Sequence, residues 1–137
     1  REGEIPVPVI ADGEYGYQKV NVHNQMRSAN SLLNWMERAI SVRKECIEFG
    51  WGNYELLKTN NSDVLAHGCY WKNGYAIGVH NFSDQDCIVR MELEEEKMEH
   101  LIECFSDQQY DPLEIDKGEF KIGPFGYRWF RKSALFL

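Results

Sequence analysis

The sequence predicts a mainly β protein: an antiparallel β-sandwich of about seven strands with Greek-key-like connections, preceded by an irregular arm and one long α-helix. Three observations predict it. Apolar residues recur with a helical period over residues 31–50. After Gly50 the period becomes two, in short runs spaced by about 8–12 residues, which is typical of sandwiches. Prolines and glycines interrupt residues 1–22, which show no helical period.

Composition places the chain among folded globular proteins. Its 137 residues suffice for one ordinary domain with a core, since 43% are hydrophobic and 13% aromatic. The net charge of −7, with basic residues scattered along the chain, argues against nucleic-acid binding. No apolar run approaches the roughly 20 residues of a membrane span, and the start carries no secretory signal. Because the sequence starts at Arg1, we expect a processed product or a fragment of a longer protein.

The arm, residues 1–22, contains Pro6 and Pro8, which favour extended backbone around them. We expect at most one short strand within it. An irregular arm of this length is unusual at the start of a self-contained domain.

The helix, residues 31–50, has candidate N-caps at Ser28, Asn30 and Ser31, and Gly50 is its expected C-terminal stop. Its apolar arc covers roughly 200°, where a surface helix needs little more than 100°. Arg43 alone interrupts that arc. The polar strip consists of Asn34, Glu37, Arg38, Ser41, Lys44, Glu45 and Glu48.

Seven apolar runs predict the strands. They are residues 54–57, 64–71, 75–82, 87–93, 100–105, 119–122 and 127–132. Asn73-Gly74 between the second and third runs predicts a tight hairpin turn. Residues 93–100 are strongly acidic, and we expect a charged connection there rather than a helical turn.

The chain therefore divides at Gly50, into residues 1–50 and an all-β part, residues 51–137. One face of the helix can pack on the strands, and the other needs a cover. Leaving Leu32, Met36, Ile40 and Ile47 in water forgoes about 1.5–3 kcal/mol each. The cover is either protein outside these residues or the arm's own apolar side chains, which are Ile5, Val7, Val9, Ile10, Val20 and Val22.

Four cysteines, Cys46, Cys69, Cys87 and Cys104, stand far apart in the sequence without a CxxC pair. A chain of this size does not need disulfides, and Cys46 lies on the apolar arc of the helix. We expect free, buried thiols, which favour a reducing compartment and a cytoplasmic location.

Catalytic groups do not assemble in the sequence. His67 and His80 lie on neighbouring strands and can meet across the hairpin, but two histidines without a further ligand make a poor metal site. His80, Ser83 and Asp84 lack the GxSxG elbow of a hydrolase triad. The acidic run Glu94, Glu95, Glu96 and Glu99 fits a solvated turn. The sequence predicts no catalytic residue, no metal site and no cofactor in this chain.

Aromatic residues leave one binding hypothesis. Trp71 and Tyr75 flank the predicted hairpin tip, and an exposed ring there can stack on a sugar. Buried sandwich aromatics are the more frequent alternative.

An ordered set of motifs gives the chain a family resemblance. VPVIADGEYGYQKVNVHNQ is followed by SLLNWMERAISVRKE and FGWG, then by SDVLAHGCYW, YAIGVHNFSD and GPFGYRWFR. Together they resemble the C-terminal end of family-13 glycoside hydrolases of the trehalose-synthase-like and α-amylase-like types. The resemblance covers nearly the whole chain.

The resemblance implies that the helix is the last one of a (β/α)8 barrel, held between barrel strands and a C-terminal β-sandwich. Arg43 then needs a buried carboxylate or carbonyl partner at that junction. The acidic catalytic residues of such enzymes lie on earlier barrel strands, so no catalytic role passes to any position here. The segment from Tyr15 to Asn21 matches one near the active-site rim.

The resemblance favours a non-catalytic domain that covers the barrel of an enzyme acting on α-glucosidic bonds. The barrel of the same polypeptide is the expected partner, α-glucan a further candidate, and self-association through the uncovered helix is expected. Two alternatives stay open: a carbohydrate-binding module with exposed aromatics, and a sandwich whose helix docks on a separate subunit.

Overall fold

The computed structural model describes residues 9–113 and 118–132, without the side chain of Glu95. Four helices and seven strands follow one another within these residues. They are α1 (Val22–Arg27), α2 (Leu32–Glu45), α3 (Glu48–Trp51), β1 (Asn53–Leu57), β2 (Val64–Trp71), β3 (Gly74–Asn81), β4 (Cys87–Arg90), α4 (Glu95–Met98), β5 (Ile102–Ser106), β6 (Glu119–Ile122) and β7 (Tyr127–Lys132). The chain divides into two compact units, Arg1–Ser41 and Val42–Leu137. The predicted boundary at Gly50 stays a prediction.

The first unit contains a short helix that the sequence analysis missed. Residues 9–21 form turns without a strand, and α1 follows them. Asn21 caps α1, because its side-chain oxygen accepts the backbone N–H of Asn24 at 2.9 Å. A six-residue helix is too short for a periodic pattern to stand out. The expected short strand is therefore absent from the described part of the arm; residues 1–8 lie outside it.

The turn between α1 and α2 is held by side chains. Ser31, one of the three candidate caps, accepts the backbone N–H of Asn34 at 3.2 Å and donates to the Gln25 carbonyl at 2.6 Å. The Asn34 amide donates to the Ser28 carbonyl at 2.8 Å. Ser31 is buried, so these bonds fix where α2 begins.

The long helix is shorter than predicted. It ends at Glu45, and α3 then continues through Gly50 to Trp51, so Gly50 is not the stop. Several apolar residues of the predicted arc are exposed in the structure: Leu32, Leu33, Met36, Ile40 and Ile47. The described apolar residues of the arm, Val9, Ile10, Val20 and Val22, are exposed as well. Arg43, expected to be buried in the whole enzyme, is exposed here.

The second unit is a two-layer arrangement of antiparallel sheets, as predicted. One sheet has five strands in the order β1-β2-β3-β7-β5, and the other pairs β4 with β6. β7 lies between β3 and β5, so the connections differ from a simple meander. Three predicted strands have their observed bounds, at β2, β6 and β7.

The core lies between the two sheets. Ile77 and Val79 of β3 and Phe130 of β7 face Val89 of β4 and Ile122 of β6, and all five are almost fully buried. The strictly alternating burial of β4 and β6 shows why a period of two identified these strands.

Two connections differ in detail from the sequence analysis. Residues 95–98 form the helical turn α4, whereas a charged connection was the preferred prediction. The hairpin loop is Lys72-Asn73, because Trp71 pairs with Gly74. Lys72, and not a glycine, takes the positive φ of 52° in that loop.

Candidate functional site

The larger sheet has a second side, turned away from the core, which we call the outer face. Strand alternation places alternate residues of each strand on it. By register, the outer face carries Tyr54, Leu56, Leu65, His67, Cys69, Ala76, Gly78, His80, Ile102, Phe105, Tyr127, Trp129 and Arg131. The face is dominated by aromatic and apolar residues, unlike a solvent-facing sheet surface.

The two strand histidines meet on the outer face, as predicted. The rings of His67 and His80 stack with centroids 6.0 Å apart and an interplanar angle of 6°. Gly78 makes this possible, because a Cβ there would lie 2.6 Å from Cε1 of His67. Burial lowers the pKa of both imidazoles, and the charge of His67 lowers the pKa of His80 further. The pair is therefore neutral near pH 7.

Trp129 stands at the centre of an aromatic cluster on this face. Phe105 contacts its ring edge-on at a centroid distance of 5.0 Å, and Phe49 of α3 does so at 5.4 Å. The indole Nε1 of Trp129 is buried and finds no acceptor among the described residues. A buried indole N–H usually has a partner, so this one is an unsatisfied donor inside the aromatic cluster.

A buried ion pair fastens α3 to the outer face. Nε and Nη2 of Arg131 donate to the two carboxylate oxygens of Glu48 at 3.0 and 3.1 Å. The Glu48 side chain is 2% exposed. The position of the Glu48 carboxylate also explains why residue 74 is a glycine, because a Cβ there would lie 2.2 Å from Oε1 of Glu48. α3 thus covers one part of the outer face by a specific, charge-assisted contact.

Both edges of the outer face carry exposed apolar residues. Tyr54 and Leu56 of β1 and Leu65 of β2 are exposed at one edge, and Ile102 of β5 is exposed at the other. Exposed apolar groups on a sheet face are of the kind that marks a protein interface.

The four cysteines are free thiols, as predicted. Cys46, Cys69 and Cys87 are buried and Cys104 is half-buried. Sγ of Cys46 lies 3.9 Å from Sγ of Cys104, a proximity that their separation in the sequence does not suggest.

The two residues of the sugar-stacking hypothesis differ in how much of their rings is exposed. Tyr75 is 2% exposed, and its hydroxyl donates to Oε1 of Glu55 at 2.7 Å, so its ring has no free face for a sugar. Burial, and then this bond, raise the pKa of Tyr75. Trp71 is half-buried beside Trp51, with ring centroids 6.2 Å apart. Stacking at Trp71 stays a prediction.

The other catalytic arrangements do not form a site. The Ser83 hydroxyl donates to Oδ1 of Asn81 at 2.8 Å and belongs to the turn after β3. The acidic run lies on and around α4. Over residues 9–113 and 118–132, no three His, Cys, Asp or Glu side chains are grouped as metal ligands.

A groove of about 630 Å³ lies beside β6, lined by Tyr110, Phe120 and Arg128 among others. The guanidinium of Arg128 lies 4.4 Å from the Tyr110 ring centroid and donates to the carbonyls of Lys121 and Asp111. The Tyr110 hydroxyl accepts the backbone N–H of Gly123 and donates to Asp107. These polar groups bind one another, so the groove presents a structural network rather than open ligand-binding atoms.

Residues 76–131 match the family model described as the sucrose hydrolase-like C-terminal domain. A trehalose synthase from Thermus thermophilus is 30% identical over 125 residues, which are 90% of this chain and 13% of that protein. The chain corresponds to the C-terminal region of a trehalose-synthase-like member of glycoside hydrolase family 13. A trehalose synthase from Pimelobacter sp. (strain R48) is 42% identical over 65 residues, 47% of this chain and 11% of that protein.

Solved structures show the same fold for this C-terminal region. An isomaltulose synthase mutant from Erwinia rhapontici NX5, solved with sucrose, superposes with a TM-score of 0.68 at 16% identity and covers 84% of this chain. Trehalose-6-phosphate hydrolase from Bacillus licheniformis gives a TM-score of 0.66 at 16% identity over 84% of the chain. The chain spans 20% of each of these two proteins. Its relatives are therefore several times longer.

Two contacts at the outer face escaped the sequence analysis. Glu48 was placed on the solvent-facing strip of the helix, yet it is buried against Arg131. Cys104 was placed on an ordinary strand, yet it contacts Cys46. The partners lie 83 and 58 positions apart in the sequence, so no local pattern could join them.

In the part of the chain that the structure describes, no helix has the length and apolar composition of a membrane span.

Proposed function

We propose that this chain is the non-catalytic C-terminal domain of an enzyme that acts on α-glucosidic bonds. It braces a (β/α)8 barrel carried by the same polypeptide. The two parts of the chain meet at the predicted boundary, Gly50. Residues 1–50 complete the barrel, and residues 51–137 form the domain that covers it.

The observation that supports this proposal is the pair of uncovered apolar surfaces. On the outer face, Leu56 and Ile102 are exposed; on α2, Leu32, Met36 and Ile40 are exposed. Burial of apolar surface is worth about 25 cal/mol per Å². Covering both surfaces therefore provides a strong driving force for docking.

The chemistry belongs to the barrel. Enzymes that cleave or rearrange α-glucosidic bonds with retention use a carboxylate nucleophile and a carboxylic acid on opposite sides of the bond. This domain contributes stability and leaves hydrolysis or isomerisation, through a covalent glycosyl intermediate, to the barrel residues. The four free thiols favour a reducing compartment, and we place the enzyme in the cytoplasm.

A matched pair of variants tests the docking face. Ile102 on the outer face is 59% exposed, and Ile88 on the far side of β4 is 57% exposed. We expect the 137-residue chain to self-associate and to bind a dye for apolar surface. Ile102→Lys should weaken both effects, whereas Ile88→Lys should leave them unchanged. The measurements are light scattering after size exclusion and dye fluorescence. A monomer without dye binding would contradict the proposal.

The gene provides the second test. The reading frame upstream of Arg1 should encode a barrel with three acidic residues at strand ends, and a start codon at Arg1 would rule this out. Calorimetric titration with maltose, before and after Trp71→Ala, addresses the carbohydrate-binding alternative. We expect no binding heat in either case. Heat that disappears in the variant would favour the alternative.

A further inference from the structure

The Cys46–Cys104 pair lies where the helical segment meets the larger sheet. Cys46 follows the last residue of α2 and precedes α3, and it is 1% exposed. Cys104 belongs to β5 and is half-buried. The two sulfur atoms are 3.9 Å apart.

A bulge in β5 brings Cys104 to the outer face. Glu103 pairs with Phe130 and Phe105 with the adjacent Trp129, so Cys104 is an extra residue outside the strand pairing, although its thiol donates to the Trp129 carbonyl at 3.4 Å. A bulge of this kind redirects a side chain relative to strand alternation. Cys104 therefore shares the outer face with its neighbour Phe105, and its thiol reaches Cys46.

We propose that Cys46 and Cys104 form a reversible disulfide that locks the α2–α3 junction to β5 under oxidising conditions. Closing the bond shortens the sulfur separation from 3.9 Å to about 2.05 Å. The inference does not depend on the proposed docking, because both residues belong to the second compact unit.

The electrostatic surroundings favour one of the two sulfurs as the thiolate. The contact with Cys104 lowers the pKa of Cys46, burial opposes that shift, and the charge of Arg131 lowers it further. The same contact, together with burial, raises the pKa of Cys104, whose thiol also lies 3.4 Å from the Trp129 carbonyl oxygen. Cys46 is therefore the sulfur of the pair that deprotonates more readily.

The oxidant is a small peroxide, for which hydrogen peroxide is the probe. The Cys46 thiolate attacks one peroxide oxygen, so an S–O bond forms, the O–O bond breaks and hydroxide leaves. The Cys104 sulfur then attacks the sulfenic sulfur of Cys46. An S–S bond forms, the S–O bond breaks, and the departing hydroxide takes the Cys104 proton as water. Two electrons pass from the thiols to the peroxide, and an added dithiol reverses the step.

The test treats the whole chain with hydrogen peroxide and maps its disulfides. We expect the intact mass to fall by two hydrogen atoms and a non-reduced digest to contain one linked peptide, Cys46 with Cys104. The thermal midpoint should rise by about 5 °C or more and return after reduction, because the bond closes a long loop. Iodoacetamide added before peroxide should block the change.

Matched variants separate this pair from general thiol oxidation. Cys104→Ser should abolish the mass loss and the thermal shift, and Cys46→Ala serves as the second variant. Cys69→Ser, which removes another buried thiol, should retain both. A linked peptide that joins other cysteines, or sulfinic acid without any linkage in the wild-type chain, would overturn the proposal.

Discussion

Glu48 and Arg131 face each other across two parallel hydrogen bonds of 3.0 and 3.1 Å, although 83 positions separate them in the sequence. Glu48 is the more deeply buried partner, with 2% of its side chain exposed against 26% for Arg131. Because of this difference, we expect replacement of the two residues to lower the free energy of unfolding by different amounts.

Replacing Arg131 should destabilise the chain more than replacing Glu48. Arg131→Met leaves a carboxylate buried without its cation, and we expect a loss of about 3–5 kcal/mol. Glu48→Gln leaves a guanidinium that water can reach, and we expect roughly half that loss. Urea denaturation of the two variants and their double variant measures the difference. Equal losses would show that burial does not govern the pair.

Gly74 should not tolerate a side chain. Gly74→Ala places a Cβ 2.2 Å from Oε1 of Glu48, which is fixed by Arg131 and cannot move away freely. We expect a loss of about 1–3 kcal/mol by overpacking. Gly50→Ala is the control, because a Cβ at Gly50 meets nothing within 4 Å. Thermal denaturation of both variants checks the contrast, and equal midpoints would contradict it.

Arg128 is a buried arginine, and lysine should not replace it. Its side chain is 2% exposed, pairs with Glu103 and lies 5.2 Å from the Phe130 ring centroid. Arg128→Lys loses the planar, multidentate contacts, and we expect about 2–4 kcal/mol of destabilisation. Arg90→Lys, at an exposed pair with Glu119, should cost less than about 1 kcal/mol. Chemical denaturation compares the two, and a neutral Arg128→Lys would refute this prediction.

The stacked histidines should make stability depend on pH. Burial lowers the native pKa of His67 and His80 below the value of 6.5 expected when the chain is unfolded. The unfolded state therefore binds protons more readily, so stability is complete above about pH 6.5 and falls as pH drops through the lowered native pKa values.

Urea midpoints at pH 7.5 and pH 5.5 measure this dependence. The double variant His67→Gln/His80→Gln should show a smaller drop than the wild type. His23→Gln, at an exposed histidine of α1, is the control and should behave like the wild type. A double variant with an unchanged drop would assign the pH dependence to other groups.

The sequence predicts the strands well because one face of most strands is buried. β4 alternates buried and exposed residues at every position, and its first residue, Cys87, was predicted. β3 is buried along nearly its whole length, and its apolar run together with the Asn73-Gly74 turn signal before it identified it. These signals are local, and a single strand carries them.

The candidate site depends on contacts that no local pattern carries. The helical period placed Glu48 on the polar strip. However, α2 ends at Glu45, and the separate helix α3 directs Glu48 towards Arg131. The bulge that redirects Cys104 depends on pairing with β7, which sequence alone does not fix. Arg43 is exposed in the structure, and the buried partner that the resemblance implies for it at the junction with a barrel stays a prediction.

The position of β7 has a consequence for synthesis on the ribosome. In the larger sheet, β5 has β7 as its hydrogen-bonded neighbour, and β7 also borders β3. Until Tyr127–Lys132 leave the ribosome, β5 has no neighbour to pair with in this sheet, and the edge of β3 away from β2 stays unpaired. Release of this segment is thus the step that joins β5 to β1, β2 and β3.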